Sequence, residues 1–377
     1  MAASDWKSID DLVSAAVADH TAPGAVLVVG NRDGILHEFA TGRHTYDENS
    51  PAVTIDSLFD LASMTKVVAT GTATMLLMGD DKLTSATLVS SVIKGFEANG
   101  KETVSILDLA THRSGLKAYE NHARVEKTRA PETSACDALI TTYASLETSH
   151  DPHGKVVYSC LNMQILARVN ETIIGERQDA FLAKRVFGPL GMKDTGYELT
   201  EEQLARTLPT QRGVEVGAIH DPLARYHAVG EHAPGNAGLF STGRDLARYC
   251  LMIQNGGRWE GRQIIDPAIL KWSFGRKTAE GMGDARGFAW DLWEAKPYVT
   301  ELNREPGREI VGHTGYTGTM IWLDQYTGAW FVLLTNRTWP DDSEEGGKKI
   351  AALRKAVADA VLHRQPEYAA YFAAAGN

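Results

Sequence analysis

Apolar residues near both ends of the chain are grouped into short runs that have the length of β-strands. Near the start, positions 25–29 and 35–39 enclose the polar turn Arg32-Asp33-Gly34. Near the end, positions 319–323 and 330–334 enclose a second turn that contains glycine. Because two apolar runs joined by a short glycine-containing turn favour antiparallel pairing, each pair of runs predicts a β-hairpin.

The periodicity changes to that of helices in the middle of the chain and again after the second hairpin. Apolar residues recur at spacings of three and four between positions 350 and 361, which predicts an amphipathic helix. The stretch from about 67 to 285 is poorer in alternating patterns and richer in helical ones, for example at 161–173 and 178–186. The alanine-rich end, 369–377, is typical of a frayed tail.

These patterns predict an α+β fold in which a sheet domain is interrupted along the chain. Strands from both ends would form one antiparallel β-sheet, flanked by N- and C-terminal helices, with a mainly helical domain inserted between them. We therefore expect a sheet domain made of residues 1–66 and 286–377 and a helical domain made of residues 67–285. No internal repeat or low-complexity tract interrupts this layout.

The composition is that of a globular protein with a large core. The chain has 377 residues, of which 43% are hydrophobic, and a formal net charge of −10. A nucleic-acid partner would require clustered Lys and Arg, and the negative charge argues against one. The longest apolar runs, such as 330–334, are far shorter than a membrane span. We expect neither nucleic acid nor a membrane as a partner.

The cysteines and the first residues bear on the cellular compartment. Cys136, Cys160 and Cys250 are an odd number of cysteines without metal-ligand spacing, which fits a reducing environment and no disulfide framework. Residues 1–10 contain two aspartates and no apolar run, so they do not resemble a signal peptide. We therefore expect a cytoplasmic protein, unless a leader has been removed.

The tetrapeptide Ser63-Met64-Thr65-Lys66 gives the first indication of chemistry. It opens a segment with the apolar periodicity of a helix, which Gly79 would end. Residues i and i+3 of a helix lie on one face, about 5–6 Å apart at Cβ, so the Lys66 amine would reach the Ser63 hydroxyl. A serine hydroxyl is a poor nucleophile unless a base lies beside it. The spacing therefore makes Ser63 a candidate nucleophile.

Two later motifs form a set with this Ser-x-x-Lys. Tyr158-Ser159-Cys160 stands where a Tyr-x-Asn loop would be expected, and His313-Thr314-Gly315 where Lys-Thr-Gly would be expected. By the order and spacing of these motifs, the chain resembles the class C β-lactamase group of serine hydrolases, with its relatives the D-aminopeptidases, family VIII carboxylesterases and statin-type acyltransferases. The resemblance covers residues 10–363. It extends to further segments: 111–116, 189–195, 237–242, and Gly287-Phe288-Ala289-Trp290, which is similar to the family's Gly-Leu-Gly-Trp.

The resemblance implies a β-lactamase-like fold with the active site in the cleft between the two domains. It implies that Ser63 forms an acyl-enzyme and that Tyr158 acts as general base, with the pKa of its phenol depressed by the charge of Lys66. The oxyanion hole would consist of the backbone N–H groups of Ser63 and Tyr316. Thr314 and Gly315 would lie along the substrate.

Two positions depart from the family pattern and bear on the substrate. Cys160 replaces an asparagine, and a thiol donates and accepts hydrogen bonds only weakly. His313 replaces a lysine, and histidine is mostly neutral above about pH 6.5. Both changes weaken recognition of an amide or a carboxylate, and both are tolerable for an ester. Each residue could also be structural, Cys160 as a small buried filler and His313 as a strand-end histidine.

The function that these residues favour is a carboxylesterase acting on short acyl esters, without cofactor or metal. The sequence contains no Gly-x-Ser-x-Gly elbow and no His-Glu-x-x-His motif. His220-Asp221, and His232 near Asn236, could suggest a metal site or a second triad, but among twelve histidines such pairs are frequent by chance. The alternatives are a β-lactamase, a D-aminopeptidase-type amidase or an acyltransferase. An alternative of another class is a β-lactam-binding sensor that is acylated once. The partner would be a small-molecule ester, and the sequence leaves the oligomeric state open.

Overall fold

A six-stranded antiparallel β-sheet with strand order β2-β1-β10-β9-β8-β7 forms the centre of the protein. The computed structural model describes residues 6–229, 232–293 and 305–374. The strands are β1 (Gly24–Asn31), β2 (Gly34–Gly42), β3 (Phe59–Asp60), β4 (Phe240–Ser241), β5 (Arg258–Trp259), β6 (Arg262–Gln263), β7 (Asp291–Leu292), β8 (Ile310–Thr314), β9 (Met320–Asp324) and β10 (Trp330–Thr335). Two small ladders, β3 with β4 and β5 with β6, lie outside the main sheet.

Helices account for most of the chain between β2 and β7. The α-helices are α1 (Lys7–Ala18), α2 (Thr72–Gly79), α3 (Ile106–Ala110), α4 (His122–Glu126), α5 (Ala135–Ser145), α6 (Cys160–Ile174), α7 (Gln178–Leu182), α8 (Gly188–Leu190), α9 (Glu201–Arg206), α10 (Pro222–His227), α11 (Gly243–Gln254), α12 (Pro267–Phe274), α13 (Glu344–Leu362) and α14 (Ala369–Ala374). Three short 3₁₀ turns (Ala62–Met64, Val89–Ser91, Pro366–Tyr368) and two π-helical segments (Lys66–Gly71, Ala183–Phe187) complete the described helical structure.

Both predicted hairpins are present, and they join in one sheet. β1 pairs with β2, and β9 pairs with β10, each in antiparallel register. β1 also pairs with β10, with Val28 opposite Val332. The two ends of the chain therefore meet at the middle of the sheet, which confirms the predicted discontinuous layout. The domain boundaries at residues 66 and 286 stay a prediction.

Alternation along β1 sends side chains into two separate cores. Leu27 and Val29 pack with residues of α1 and α13, such as Val13 and Val357, on one face of the sheet. Val26 and Val28 point to the opposite face and belong to the large core that includes the helices of the middle segment. Because β1 is covered on both faces, its sequence is continuously apolar rather than alternating.

The prediction of a frayed tail over residues 369–377 is wrong as far as Ala374, because α14 covers that stretch. The Phe372 ring stacks on His363 at a centroid distance of 4.0 Å and meets the buried Tyr368 ring edge-on at 6.3 Å. These aromatic contacts hold the helix against the end of α13. The last three residues of the predicted tail, 375–377, lie outside the described ranges.

Ala289 carries backbone strain that glycine would remove. Its φ is 65°, in the left-handed region, which costs a residue with a Cβ about 1–2 kcal/mol. We expect Ala289→Gly to raise the free energy of unfolding by about 0.5–1 kcal/mol, since part of the relieved strain is offset by the larger backbone entropy of glycine in the unfolded chain. Urea denaturation would measure the change. Ala110→Gly, in the helical backbone of α3, is the control and should destabilise; an equal loss in both variants would contradict the prediction.

Candidate active site

Ser63 lies on a strained turn directly after β3. The preceding residue, Ala62, has a φ of 46°, and its N–H donates to the Asp60 carboxylate at 2.7 Å. The second carboxylate oxygen of Asp60 accepts the N–H of His220, also at 2.7 Å. Burial raises the pKa of Asp60 to about 6. Strained backbone of this kind persists only where surrounding contacts fix it, and Asp60 supplies two of those contacts.

The segment from Ser63 to Gly79 is helical, as predicted, although its first turns are not α-helical. A 3₁₀ turn carries Ser63, a π-helical segment runs from Lys66 to Gly71, and α2 follows. A side chain at Gly71 would place its Cβ 2.8 Å from the Cβ of Ala289. Such π-turns inside helices are frequent at functional sites, and here the wider turn allows the helix to approach the segment before β7.

The Lys66 ammonium joins Ser63 to two other parts of the site. Its Nζ lies 2.8 Å from Ser63 Oγ and 2.8 Å from the backbone oxygen of Asn236. It also lies 3.8 Å from Cys160 Sγ. Lys66 is completely buried, whereas Ser63 is partly exposed. The amine is therefore fixed beside the serine hydroxyl, as the i, i+3 spacing predicted, and the hydroxyl remains accessible from the surface.

Tyr158 lies against the same amine, just before the start of α6. Its ring centroid is 4.9 Å from Lys66 Nζ and 5.4 Å from Cζ of Arg286. The His112 ring packs on it at a centroid distance of 4.7 Å. The structure thus brings Ser63, Lys66 and Tyr158 together from sequence positions far apart, with two cations facing one phenol.

The expected direction of the Tyr158 pKa is wrong. Burial raises the pKa of the phenol above its ordinary value, and the nearby charge of Lys66 lowers it by a smaller amount. For Lys66, burial lowers the pKa of the ammonium. Interaction with Cys160 and Tyr158 raises this pKa by a larger amount, so that it lies above its ordinary value. The charge of Lys66 alone would lower the pKa of Tyr158, but desolvation of the buried phenol raises it by more.

The third motif runs along the end of β8 and beside the Ser63 turn. His313 and Thr314 are the last residues of β8. A Cβ at Gly315 would lie 2.3 Å from the backbone oxygen of Leu61, so only glycine fits this approach. Thr319 holds the same oxygen through a hydrogen bond of 2.9 Å from its hydroxyl. The strand end and the turn that carries Ser63 are consequently in direct contact.

This contact places the two predicted oxyanion-hole residues on adjoining backbone segments. Ser63 follows Leu61 by two residues, and Tyr316 follows Gly315. Within the described ranges, neither the N–H of Ser63 nor that of Tyr316 donates to a protein acceptor. The side chain of Tyr316 is 55% exposed, and its hydroxyl donates to Asp342. Two N–H groups without a protein acceptor on adjoining segments are what an oxyanion hole requires, and the assignment stays a prediction.

His313 is buried and electrically neutral at physiological pH. Its side chain is 2% exposed, and its Nδ1 lies 2.8 Å from the backbone oxygen of Thr314. Burial lowers the pKa of the imidazole to about 4, against a smaller raising effect of Asp291. Its ring centroid lies 6.0 Å from that of Tyr158. The third motif therefore brings no positive charge to the site from this side chain.

Cys160, the first residue of α6, occupies the position expected for the second-motif asparagine. Burial raises the pKa of its thiol, which Lys66 opposes. The thiol is a weak acceptor at 3.8 Å from Lys66, and the backbone oxygen of Asn236 accepts from the same amine at 2.8 Å. A main-chain carbonyl thus satisfies the lysine where the asparagine side chain is missing.

Sequence reasoning missed Asn236 and Arg286. Asn236 is fully buried, and its side chain bonds Gln164 at 2.9 Å and Asp221 at 3.2 Å. Arg286 pairs with Asp291 on one side and with Asp284 at 3.1 Å on the other. Backbone acceptors leave no sequence signal, but Arg286 directly precedes the recognised segment 287–290, so its position beside the site could have been suspected.

The two histidines noted in the sequence, and three large tryptophans, lie outside the group formed by Ser63, Lys66 and Tyr158. His220 stacks on Tyr316 at a centroid distance of 5.9 Å, at the rim of the site. His232 bonds Glu171, away from Ser63. Trp290, Trp293 and Trp322 are fully buried in the core. Within the described ranges, no helix has both the length and the apolar character that crossing a membrane would require.

Comparison with known sequences places these motifs in a family context. The chain matches the family described as Beta-lactamase over residues 9–355. It is 26% identical over 346 residues to an Escherichia coli O157:H7 protein named "Putative D-alanyl-D-alanine carboxypeptidase", covering 84% of this chain and 78% of that one. It is 28% identical over 345 residues to the N-acetylmuramyl-L-alanine amidase of Bacillus subtilis (strain 168), covering 84% and 77%.

Solved structures share the fold at lower sequence identity. A class C beta-lactamase superposes with a TM-score of 0.74 at 17% identity, covering 96% of each chain. EstCE1, a hydrolase with promiscuous acyltransferase activity, superposes with a TM-score of 0.73 at 18% identity, covering 94% of this chain and 99% of that one. These likenesses confirm the predicted β-lactamase-like fold.

Proposed function

The chain belongs to the beta-lactamase family of serine hydrolases, and we propose that it is a carboxylesterase that cleaves short acyl esters through an acyl-enzyme on Ser63. The observation that carries this proposal is the uncharged, buried His313, 2% exposed, with a pKa lowered to about 4 by burial. A substrate carboxylate would find no fixed cation there. An ester needs none.

In acylation, Ser63 Oγ attacks the carbonyl carbon of the ester. Its proton passes to the basic member of the Lys66–Tyr158 pair, whose amine lies 2.8 Å from Oγ. The oxyanion accepts hydrogen bonds from the N–H groups of Ser63 and Tyr316. The bond between the carbonyl carbon and the alcohol oxygen then breaks, and the departing alcohol takes the proton from the pair.

In deacylation, water takes the place of the alcohol and the steps run in reverse order. It attacks the acyl carbon and gives its proton to the Lys66–Tyr158 pair. The bond from the acyl carbon to Ser63 Oγ breaks, Ser63 recovers a proton from the pair, and the carboxylic acid leaves. The Asn236 carbonyl and the Cys160 thiol hold the Lys66 amine in place during both halves.

Turnover of two chromogenic substrates tests the proposal. The purified chain is incubated with p-nitrophenyl butyrate and with nitrocefin, and product is followed against enzyme concentration. Steady turnover of the ester, with little or none of nitrocefin, is the expected result. Comparable kcat/KM for the two would overturn the preference for esters. A burst of one equivalent without a steady state would instead identify a sensor that is acylated once.

Cleavage of an amide is the second candidate function, and the names of the two relatives favour it. One name is that of a carboxypeptidase and the other that of an amidase. The Arg286 guanidinium near Tyr158 would be the available cation for a carboxylate, but Asp291 and Asp284 already pair with it. Release of D-alanine from an acylated D-Ala-D-Ala peptide, faster than ester turnover, would favour this function. Transfer of the acyl group to an added alcohol would reveal an acyltransferase.

We further propose a reducing compartment such as the cytoplasm and a small-molecule partner. All three cysteines lie in the described ranges and are free, which fits a compartment where thiols stay reduced. Mass measurement of the protein alkylated directly in cell lysate would count the reduced thiols.

The double variant Cys160→Asn with His313→Lys should move the preference toward β-lactams. The asparagine restores an amide that binds a substrate amide and the lysine, and the new ammonium restores a cation for a carboxylate. Each such contact is worth about 1–3 kcal/mol, so we expect the β-lactam-to-ester ratio of kcat/KM to rise tenfold or more, that is by about 1.4 kcal/mol. The single variants serve as controls. An unchanged ratio in the folded double variant would show that the loops around the cleft set the preference.

A further inference from the structure

A second group of reactive side chains lies where α5, α6 and α10 meet, apart from the Ser63 site. Cys136 and Asp137 belong to the first turn of α5, and His232 follows α10. One potential ligand atom from each of these three residues lies within 4.8 Å of the other two. His227, the last residue of α10, places Nε2 3.2 Å from Cys136 Sγ. We call Cys136, Asp137, His227 and His232 the Cys136 cluster.

We propose that the Cys136 cluster binds one Zn²⁺ or a similar divalent transition metal, with Cys136, Asp137 and His232 as ligands and His227 as the fourth. Thiolate, imidazole and carboxylate are the donor types that zinc takes in proteins, usually four at a time in tetrahedral geometry. One thiolate and one carboxylate would balance the charge of the ion. The ion would take no part in the proposed chemistry at Ser63.

The distances require a small contraction of the cluster. Zinc–sulfur and zinc–nitrogen bonds of about 2.3 and 2.0 Å bring tetrahedral ligand atoms to roughly 3.5 Å from one another. The separation of 3.2 Å between Cys136 Sγ and His227 Nε2 already lies close to that value. The ligand atoms of Cys136, Asp137 and His232 lie within 4.8 Å of one another, a set that does not include His227, so the side chains must move toward the ion before all four can hold it.

The surroundings of the two histidines provide an independent indication of a metal. His232 Nδ1 lies 2.7 Å from a carboxylate oxygen of Glu171, and the other oxygen of Glu171 is held by the N–H groups of Gln178 and Ala233 at 3.0 and 2.9 Å. Carboxylates commonly orient metal-binding histidines in this way and fix which nitrogen is free. Here the arrangement leaves Nε2 of His232 for the ion.

His227 adds an unpartnered buried polar group. The residue is completely buried, and within the described ranges its Nδ1 has no hydrogen-bond partner. Its other nitrogen, Nε2, faces only the Cys136 thiol. A bond from Nε2 to the metal would recover part of the desolvation free energy of the buried ring, although Nδ1 would keep its environment. One competing contact exists, because Arg168 donates to a carboxylate oxygen of Asp137 at 3.2 Å; the second oxygen of Asp137 remains for the metal.

A route to the cluster and a structural role both follow from its position. A cleft of about 340 Å³ lined by Arg168, Glu171 and His232 leads to it from the surface. A site with four protein ligands has no open position for a substrate, so the ion would be structural. It would tie the end of α10 to α5. The opposite end of α10 starts after Asp221, which bonds the Asn236 side chain, so the ion would stiffen the wall that supports Lys66.

Metal binding by the whole untagged chain tests this proposal. After removal of metals with a chelator, the protein is titrated with Co²⁺ and followed by absorption, and with Zn²⁺ by competition against a chromogenic chelator. We expect one ion per chain and a thiolate-to-cobalt charge-transfer band, with release of the Cys136 proton. The band should disappear in Cys136→Ser. Glu171→Gln should weaken Zn²⁺ binding by about 10–100-fold, as loss of an orienting carboxylate typically does.

Cys250→Ser is the matched control, because Cys250 is also a buried cysteine but lies in α11, outside the cluster; its band and affinity should equal those of the wild type. A cobalt complex without the charge-transfer band, a band that persists in Cys136→Ser, or no stoichiometric binding by the wild type would each overturn the proposal. Cys136→Ser should keep the ester turnover of the metal-free wild type, so loss of metal binding is distinguishable from failure of the proposed function.

Discussion

Replacing Ser63 with alanine is expected to abolish ester turnover and to leave the fold intact. The hydroxyl is the atom to which the acyl group would be transferred, and it lies 2.8 Å from the Lys66 amine. Removal of the nucleophile from a catalytic unit lowers kcat by roughly 10⁴–10⁶-fold. Ser63 is partly exposed, and its neighbour Asp60, not its own hydroxyl, holds the strained turn. Thermal stability should therefore change little.

Covalent labelling measures this prediction separately from turnover. A fluorophosphonate should add one equivalent to the wild-type protein, detected by intact mass, and none to Ser63→Ala. Ser159→Ala is the matched control: Ser159 belongs to the second motif, but its hydroxyl donates to the backbone oxygen of Lys117 at 2.6 Å and not to the nucleophile. It should still be labelled. A phosphonate adduct on folded Ser63→Ala would show that another residue is the nucleophile.

The parts of the protein that could be predicted from the sequence rest on local spacing. The distance between Ser63 and Lys66 follows from helical geometry alone, and it survives although the turns there are 3₁₀ and π rather than α. The hairpins follow from apolar runs around short turns, and their pairing in one sheet follows from the position of these runs at both ends of the chain and agrees with the resemblance. The helical pattern over 161–173 agrees with α6 within one residue at each end, because its apolar period is regular.

The parts that could not be predicted depend on contacts between distant segments. The Asn236 carbonyl reaches Lys66 from far along the chain, and any residue has a carbonyl. The π-helical segment ends at Gly71, where a Cβ would lie 2.8 Å from the Cβ of Ala289, a close approach that no local pattern reveals. The order of α14 depends on the aromatic contacts of Phe372. The expected pKa of Tyr158 has the wrong direction because burial is a property of the folded chain.

The raised pKa values of Tyr158 and Lys66 determine the expected pH dependence of the enzyme. The active form has lost one proton from the Lys66–Tyr158 pair. Burial raises the pKa of Tyr158, and the pKa of Lys66 is raised by its neighbours despite burial, so this form is scarce at neutral pH. Its population grows about tenfold per pH unit below the macroscopic pKa of the pair. We expect log(kcat/KM) for a non-ionising ester to rise with pH through neutrality into the alkaline range. A plateau already below neutrality would contradict this.

The Tyr158→Phe variant tests whether the phenol is the general base of the Lys66–Tyr158 pair. Without its oxygen, proton transfer from Ser63 loses its proposed base, and general-base catalysis typically supplies 10²–10⁴-fold, which corresponds to about 2.7–5.5 kcal/mol of transition-state stabilisation. Substrate binding should change little, because the ring remains between Lys66 and His112. Single-turnover acylation with p-nitrophenyl butyrate would show a lower rate at a similar apparent affinity.

The pH profile of the residual activity of Tyr158→Phe should also differ from that of the wild type. In the absence of the phenol, the negative charge that raises the pKa of Lys66 is partly removed, while burial still lowers it. The alkaline limb should therefore move to lower pH. Tyr226→Phe is the control, since that hydroxyl bonds Glu126 at 2.6 Å near the surface, and it should keep the wild-type rate and profile. If Tyr158→Phe keeps more than about a tenth of the wild-type acylation rate, the phenol is not the base. Lys66 would then have to take the proton from Ser63 directly, across the 2.8 Å contact already present.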